Sequence, residues 1–497
     1  MADDPDEWRS LTDSTECTPM LKKKGVRSIT TYNVLLLFML SIFMFMTGVQ
    51  YNISQMISYH QSCQWSVPHT FLALEPTMLV AVIGSSAFIT GILSDVYGRR
   101  RVMIVVVVVL STGILLCGIA QDIIQYEVGR MVTGFCLGAM FNLCIVMWLE
   151  SSPIRIRKLG ILVLMVMTSL GHASIVFFDY FIMVPYGWNS GVLINLLILI
   201  PAYIILFHSN ETPQYLMSQG RVPEALKAAR RCGMVEEDMV DKKQHAKSRT
   251  GSVKAIFSPA YRWTTLNLIF LFGLHRLVEI GLIFGVPYIM AVNFCDEPEM
   301  IAQNVTEWVE MPSDTMACLQ FSFNDYLFIF SFAIFGIPGF IIGAIIQSNY
   351  LKIPDRYGIL ALTVIVGILL GWCSYCDTSS HWMVELKLGL VRIFIASQDQ
   401  MFSVLVPSVF PTKIRNGACG FVRACGIILS SSGPFLTISL FNYISISWSL
   451  VVLAIIYLLR IPLGIALKAS TSPVEEKKDV SRTSSFDDFD SSIADSI

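Results

Sequence analysis

Residues 91–101 read Gly-Ile-Leu-Ser-Asp-Val-Tyr-Gly-Arg-Arg-Arg, and they lie between two strongly apolar runs. We expect Gly91 to let neighbouring helices approach closely, whereas Gly98 permits a tight turn. Asp95 can pair with basic groups or with the end of a helix. Arg99 to Arg101 are typical of the cytosolic end of a membrane span. A plain basic loop would not need two glycines and an aspartate at this spacing.

The chain around this loop is too apolar for an ordinary soluble domain. Of its 497 residues, 54% are hydrophobic and 14% are charged, against about 25% charged in soluble proteins. Runs of about 20 apolar residues predict membrane-spanning helices. The predicted fold class is therefore an all-α membrane protein with twelve transmembrane helices, at 30–53, 71–94, 102–120, 123–147, 158–182, 187–207, 263–291, 326–347, 358–376, 384–409, 417–440 and 446–467.

The positions of Lys and Arg predict how these spans are oriented. Every second loop is basic, and the loops between them, at 54–70, 121–122, 183–186, 292–325, 377–383 and 441–445, contain neither Lys nor Arg. Because basic residues accumulate in cytosolic loops, both ends of the chain are predicted to be cytosolic. The polar, charged start of the chain is unlike a secretory signal peptide.

The spans divide into two halves around a long polar linker. Pro153-Ile-Arg-Ile-Arg157 follows the fourth span, and Pro411-Thr-Lys-Ile-Arg415 follows the tenth. This repeat at matched positions is typical of transporters built from two related halves. Within the linker, residues 221–231 predict a short amphipathic helix. The predicted domains are a tail (1–29), a six-helix bundle (30–207), a cytosolic helical linker (208–262), a second six-helix bundle (263–467) and a disordered tail (468–497).

Four further motifs carry a resemblance to a known family. They are Gly129-Arg130 with Gly134 and Gly138, Glu150 to Arg157, Glu211-Thr-Pro213, and Val409 to Gly417. Together with the loop at 91–101 they resemble the major facilitator superfamily, in particular its organic cation/anion/carnitine branch and the related synaptic vesicle 2-like proteins. From these motifs we predict a cytosolic gate formed by Gly91, Asp95, Gly98, Arg99, Arg100, Arg130, Glu150, Arg157, Glu211 and Arg415.

The chain departs from the organic-ion pattern at several positions. Ser408 replaces an acidic residue, Gln214 replaces an arginine, and Ile427 stands where the family often carries a charge. The sign of the substrate's charge therefore lacks its usual marker. A second copy of the 91–101 loop is expected in the second half, but only Gly343 and Asp355-Arg-Tyr-Gly358 remain of it, at an irregular spacing. This departure and the Ser408 replacement motivate an alternative function. In that alternative, the chain is a transporter-like binding or trafficking receptor without net flux.

Ionisable residues inside the predicted spans point to a substrate or coupling site, since charges at membrane depth are costly. His275 and Glu279 of the seventh span are four residues apart, so they share a helix face. The resemblance implies that helices one, four, seven and ten line a central cavity, and that Arg392 matches a family lysine. The predicted substrate-binding or coupling residues are Asn142, His275, Arg276, Glu279, Arg392, Gln398 and Asp399.

The same charges allow two interpretations, a pathway site or an internal ion pair that joins helices. Glu279 and Asp399 favour an organic cation or zwitterion, and Arg276 and Arg392 suit an anion. The expected activity is secondary active or facilitative transport of a small organic ion, with a slight preference for a cation or zwitterion. Secondary active transport would be coupled to a proton or another ion, and no cofactor is expected. No phosphate loop, paired metal-binding cysteines or nucleophile elbow is found in the sequence, so we do not expect an enzyme or a nucleic-acid partner.

Sites outside the spans concern processing and location. Asn304 and Asn52 fit N-glycosylation acceptors, and Cys295 and Cys318 can pair in the oxidising compartment, although other pairings stay open. Glu16, Met20 and Leu21 loosely resemble an acidic dileucine sorting signal, and the final residues suit a PDZ-type groove. The expected location is the plasma membrane or an endosomal, lysosomal or synaptic-type vesicle membrane.

Overall fold

A computed structural model describes residues 30–65, 69–234, 257–258, 261–293, 323–347, 354–375, 381–410 and 415–466. The predicted sorting residues Glu16, Met20 and Leu21 lie outside these ranges, as does the C-terminal tail. The predicted glycan acceptor Asn304 and the cysteines Cys295 and Cys318 lie outside them too. Arg415 begins a helix, but its side chain is not among those described. These predictions therefore remain predictions.

The first half of the chain contains six long helices. Spans one to six are Thr31–Trp65, His69–Tyr97, Arg99–Gly118, Ile123–Ser151, Ile154–Phe178 and Trp188–His208. Span five continues as a π-helical turn, Asp179–Met183, and a short helix, Val184–Tyr186. Gly98 separates spans two and three with φ of 101°, a conformation that glycine adopts without the steric cost of a side chain.

The second half repeats the arrangement with shorter segments. Spans seven to twelve are Arg262–Asn293, Phe323–Ile334 with Gly336–Ile346, Asp355–Ser374, His381–Val409, Arg415–Ser430 with Gly433–Tyr443, and Ile446–Leu458 with Arg460–Ala466. Eleven helices of the described ranges are long and apolar enough to cross a membrane. Span ten is long enough but less apolar, because it carries Arg392, Asp399 and two glutamines. The all-α fold class is confirmed.

Helix packing relates the two halves. Span one packs on span five as span seven packs on span eleven, and spans two and four correspond to spans eight and ten. Spans three and six likewise correspond to spans nine and twelve. Across the halves, span two packs on span eleven and span five packs on span eight. The repeat read from the sequence therefore corresponds to a pseudo-two-fold arrangement around a central interface.

Small residues allow the closest helix contacts. A Cβ atom added at Gly138 of span four would overlap the carbonyl oxygen of Ile83 in span two, so only glycine permits this approach. Gly91 behaves differently, because a Cβ atom there would meet nothing within 4 Å. The expectation that Gly91 serves a close helix contact is therefore wrong for this conformation.

Two linker helices, Pro213–Ser218 and Val222–Arg231, pack against each other below the first half. The second is the predicted amphipathic helix, with Ala225, Ala228 and Ala229 buried. Asn33 at the start of span one donates a hydrogen bond to the carbonyl of Cys232 at 2.9 Å. Burial raises the pKa of the Cys232 thiol to about 12, so this cysteine is protonated at neutral pH. The linker thus docks on the start of span one, the end that the sequence predicts to be cytosolic.

Candidate functional site

Glu279 is the centre of a charge cluster between spans seven and ten. One of its carboxylate oxygens accepts a hydrogen bond from Arg392 Nη1 at 2.8 Å, and the other accepts one from Arg276. Glu279 is 3% exposed and Arg392 is 5% exposed. In such a low-dielectric position, each of these charges is stable only because the others compensate it.

His275 connects Glu279 to Asp399. Its Nε2 lies 3.0 Å from Asp399 Oδ1 and 3.9 Å from Glu279 Oε2. Its Nδ1 lies 3.0 Å from the hydroxyl of Tyr457 in span twelve. Arg276 adds a contact of 3.5 Å to Asp399 Oδ2. Five of the predicted residues, from two helices, therefore form one network: His275, Arg276, Glu279, Arg392 and Asp399.

Gln398 extends the charge cluster towards spans nine and twelve. Its Oε1 accepts a hydrogen bond from Arg460 Nη2 at 2.7 Å, and its Nε2 donates to Thr363 at 3.3 Å. Arg460 is fully buried and also donates to the carbonyl of Leu271 at 3.1 Å. Gln398 therefore positions helices within the second half, at the edge of the charge cluster.

The first half faces the cluster through span one and span five. A narrow cavity of about 10 Å³ lies between the halves, which is room for about one water molecule. Asn52 and His172 line it from the first half, and Arg392 and Phe332 line it from the second. Tyr51 stacks on His172 with ring centroids 5.6 Å apart. The predicted residue Asn142 is half-buried on span four, outside the charge cluster.

Asn52 is 5% exposed inside span one. A glycan cannot be attached to a side chain enclosed by packed helices, so the prediction of Asn52 as a glycosylation acceptor is wrong. The mistake has a simple physical cause. Span one continues as a helix to Trp65, well past residue 53, where its apolar run was predicted to end, so Asn52 lies within the bundle.

Several predicted gate residues form a network at the cytosolic ends of the first half. Arg99 contacts Glu150 at 3.0 Å and Asp95 at 2.8 Å. Glu211 of the linker accepts hydrogen bonds from the backbone N–H groups of Arg99 and Arg100, at 3.0 Å and 3.1 Å. A carboxylate in this position compensates the positive end of the span-three helix.

The other gate contacts belong to the same half of the molecule. Arg100 donates to the carbonyl of Phe207 at 2.6 Å, and Arg157 donates to that of Ser152 at 2.9 Å. Across the halves on this side, Lys158 Nζ donates to the carbonyl of Gln347 at 3.4 Å. The network around Arg99 therefore fastens spans two, three, four and the linker to one another within the first half.

Arg130 was predicted to belong to the cytosolic gate, and its position corrects that assignment. It lies early in span four, at the end that the sequence predicts to be non-cytosolic. Its guanidinium donates to the carbonyl of Gln50 at 2.9 Å and to Ser54, and it lies 3.6 Å from Glu75. These partners come from the middle of span one and the start of span two. Arg130 therefore belongs to a separate buried cluster near the non-cytosolic surface.

A hydrogen bond joins the halves on the non-cytosolic side. Tyr326 of span eight donates to Asp179 Oδ2 of span five at 2.6 Å. Asp179 is fully buried at the start of the π-helical turn, and such turns are frequent at functional sites. The ring of Tyr180 packs edge-on against Tyr326 with centroids 5.5 Å apart. This contact closes the central cavity towards that surface.

The cluster also has the spacing of a metal site. Ligand atoms of His275, Glu279 and Asp399 lie within 4.8 Å of one another. Both carboxylates, however, already contact guanidinium groups, whose positive charge opposes a second cation. We therefore interpret the arrangement as an ion-pair network.

Sequence reasoning missed five residues of this region: Tyr51, His172, Arg423, Tyr457 and Arg460. Arg423 and Arg460 carry charges inside predicted spans eleven and twelve, which was a usable signal. The Arg423 guanidinium lies 5.9 Å from the Phe141 ring centroid, across the halves. The aromatic residues gave no signal, since aromatic side chains are common in all spans.

Comparisons with known proteins agree with this architecture. The family model described as "Sugar (and other) transporter" matches residues 32–466. Synaptic vesicle 2-related protein of Bos taurus is 23% identical over 386 residues, 75% of this chain and 67% of that protein. The arabinose-proton symporter of Bacillus subtilis (strain 168) is 21% identical over 364 residues, 70% of this chain and 72% of that protein.

A solved structure is similar in fold. The major facilitator superfamily proton:xylose symporter XylE, bound to 6-bromo-6-deoxy-D-glucose, aligns with a TM-score of 0.66 at 14% sequence identity. The alignment covers 87% of this chain and 94% of that chain. At this identity, the likeness concerns the fold alone.

Proposed function

This chain belongs to the sugar (and other) transporter family of the major facilitator superfamily, and we propose that it moves a small organic ion across the membrane by alternating access. It is a multi-pass membrane protein. The observation that carries the proposal is the buried network of Glu279, Arg276 and Arg392 beside a cavity between the halves. Charges at that depth are energetically costly, and where they occur they commonly mark a substrate or ion pathway.

Proton coupling is part of the proposal. His275 lies 3.0 Å from Asp399, so a proton bound by either side chain would change the charge of the cluster. One of the similar proteins is named as an arabinose-proton symporter, which supports the same coupling here. The similarity to synaptic vesicle 2-related protein supports a vesicle membrane as the location.

The experiment is uptake into proteoliposomes that contain the purified chain. Radiolabelled organic cations, zwitterions and anions are offered with and without an inward proton gradient. We expect saturable uptake of one charge class, faster with the gradient. Arg392→Gln and Asp399→Asn should each lower the uptake rate roughly tenfold or more, because a charge-assisted hydrogen bond contributes about 1.5–3 kcal/mol.

The control is Glu224→Gln, which removes an exposed ion pair with Arg221 on the linker and should leave uptake unchanged. Ligand binding without flux under any gradient would contradict the proposal and favour a binding receptor. Unchanged uptake in both cluster variants would mean that the pathway lies elsewhere.

A further inference from the structure

The central cavity combines a guanidinium group with an apolar wall. Arg392 contributes the charge, and Ile283, Ile329 and Phe332 contribute apolar surface from the second half. Asn52 and His172 close the cavity from the first half. A pocket of this kind suits a solute with one polar end and one apolar end, because each end meets its own wall.

Arg392 has donor capacity that its protein partners do not use. Its Nη1 is bonded to Glu279, whereas its Nε has no hydrogen-bond partner among the residues that the structure describes. Arg392 is 5% exposed, so bulk water does not compensate for this buried donor. An anionic oxygen forms the strongest hydrogen bonds with a guanidinium. The unpaired Nε–H group of Arg392 could therefore donate a hydrogen bond to a carboxylate.

The first half offers further unpaired polar atoms beside the cavity. Tyr51 Oη and Asn52 Oδ1 are buried and have no hydrogen-bond partner within the described ranges. Tyr51 also packs on Phe284 of span seven, with ring centroids 5.7 Å apart. A tyrosine hydroxyl can donate to an oxygen ligand, whereas the unpaired Asn52 Oδ1 can only accept a hydrogen bond. Polar groups from both halves thus face the same space.

The charge cluster and its neighbourhood in the second half have a positive excess. Arg276, Arg392, Arg423 and Arg460 are buried or half-buried there, against two carboxylates, Glu279 and Asp399. Because both carboxylates are already engaged by arginines, little negative charge remains for a cation. The earlier preference for a cation or zwitterion is therefore not supported by the geometry.

We propose that the cavity binds an organic anion with a single carboxylate on a small apolar or aromatic body. The carboxylate lies on Arg392, and the body lies against Phe332. This inference rests on the proposed transport function and assigns its substrate class. Since the cavity has room for about one water molecule in this conformation, the solute enters when the halves part.

The test compares three probes with the same ring and different polar ends. Binding of benzoate, benzamide and benzylammonium to the full chain in lipid nanodiscs is measured by calorimetry. We expect benzoate to bind roughly tenfold or more tightly than either other probe, because only benzoate forms a charge-assisted bond with Arg392. Equal affinities, or a preference for benzylammonium, would overturn the inference.

Two variants test separately the contact of Arg392 with the carboxylate and the contact of Phe332 with the ring. Arg392→Gln should abolish the preference for benzoate over benzamide. Phe332→Ala should weaken benzoate roughly tenfold and leave acetate binding unchanged, and it keeps the inference testable if the Arg392 variant does not fold. Arg221→Gln, on the exposed linker surface, is the matched control and should bind all three probes normally. Retained benzoate selectivity in Arg392→Gln would place the anion site elsewhere.

The results can reject the anion inference without rejecting the transport function, and the reverse is also possible. Net uptake of benzylammonium or benzamide in proteoliposomes, with no benzoate binding, would reject the anion inference and leave the transport function standing. Selective benzoate binding without flux of any probe would reject transport and leave the anion site standing.

Discussion

Glu279 accepts hydrogen bonds from two arginines that are otherwise surrounded by apolar helices. Removing its charge leaves the guanidinium of Arg392 buried without its acidic partner and leaves Arg276 with Asp399 alone. Losing one member of a buried ion pair costs about 3–5 kcal/mol, far more than the net contribution of the intact pair. The same side chain therefore stabilises spans seven and ten and sets the charge of the cavity.

We predict that Glu279→Gln lowers the free energy of unfolding by about 3–5 kcal/mol. Thermal denaturation of the chain in detergent provides the measurement. Glu224→Gln is the matched control, because Glu224 and Arg221 are roughly half exposed and such surface pairs contribute about 0–1 kcal/mol. Equal thermal unfolding midpoints for the two variants would show that the Glu279 network does not stabilise the fold.

The sequence predicted part of this residue-scale picture. The four-residue spacing of His275 and Glu279 places both on one helix face, and Asp399 was expected in the same region. The contacts of Tyr51, Asn52 and Arg460 depend on how separate helices pack, which hydropathy does not encode. Arg130 was assigned to the wrong side because its motif was read without its depth in span four.

At the scale of elements, the apolar runs located the helices well and their ends less well. Hydropathy marks the part of a helix that lies in lipid, whereas helical hydrogen bonding continues into polar sequence. Span one thus reaches Trp65, about twelve residues beyond its predicted end. The interruptions in spans eight, eleven and twelve were not predicted, since a single turn within an apolar run leaves its mean hydropathy unchanged.

The glycine contact between spans two and four gives an element-scale prediction. Gly138→Ala places a methyl group against the Ile83 carbonyl and should destabilise the first half by about 1–3 kcal/mol. Gly91→Ala meets open space and should be neutral or stabilising by up to about 1 kcal/mol, because alanine favours helix. Thermal denaturation of both variants is the measurement. A stabilised Gly138→Ala chain would refute the close contact.

For the whole molecule, the corresponding helix pairs of the two halves explain how a central site can face either side. The packing of span two on eleven and span five on eight forms the interface that must rearrange. The repeated Pro-x-basic-Ile-Arg pattern predicted this division into halves. It did not predict the Asp179–Tyr326 contact, because these residues are far apart in sequence and no motif marks either one.

The central claim is that solute crosses because the two halves open alternately around the cluster. The most direct measurement is uptake after joining the halves at the Asp179–Tyr326 contact. Asp179→Cys and Tyr326→Cys are combined and bridged with a cleavable thiol crosslinker long enough to span the space of the removed tyrosine ring, since the two native side chains are in contact. Chains that carry only one of the two substitutions show any effect of the reagent on the native cysteines.

The control crosslink is placed within one half, between Ser111→Cys and Tyr203→Cys, whose hydroxyls lie 2.7 Å apart. We predict that the crosslink between halves abolishes uptake, that its cleavage restores uptake, and that the control crosslink has little effect. Undiminished uptake by a chain whose halves are covalently joined at the non-cytosolic surface would contradict alternating access in this protein.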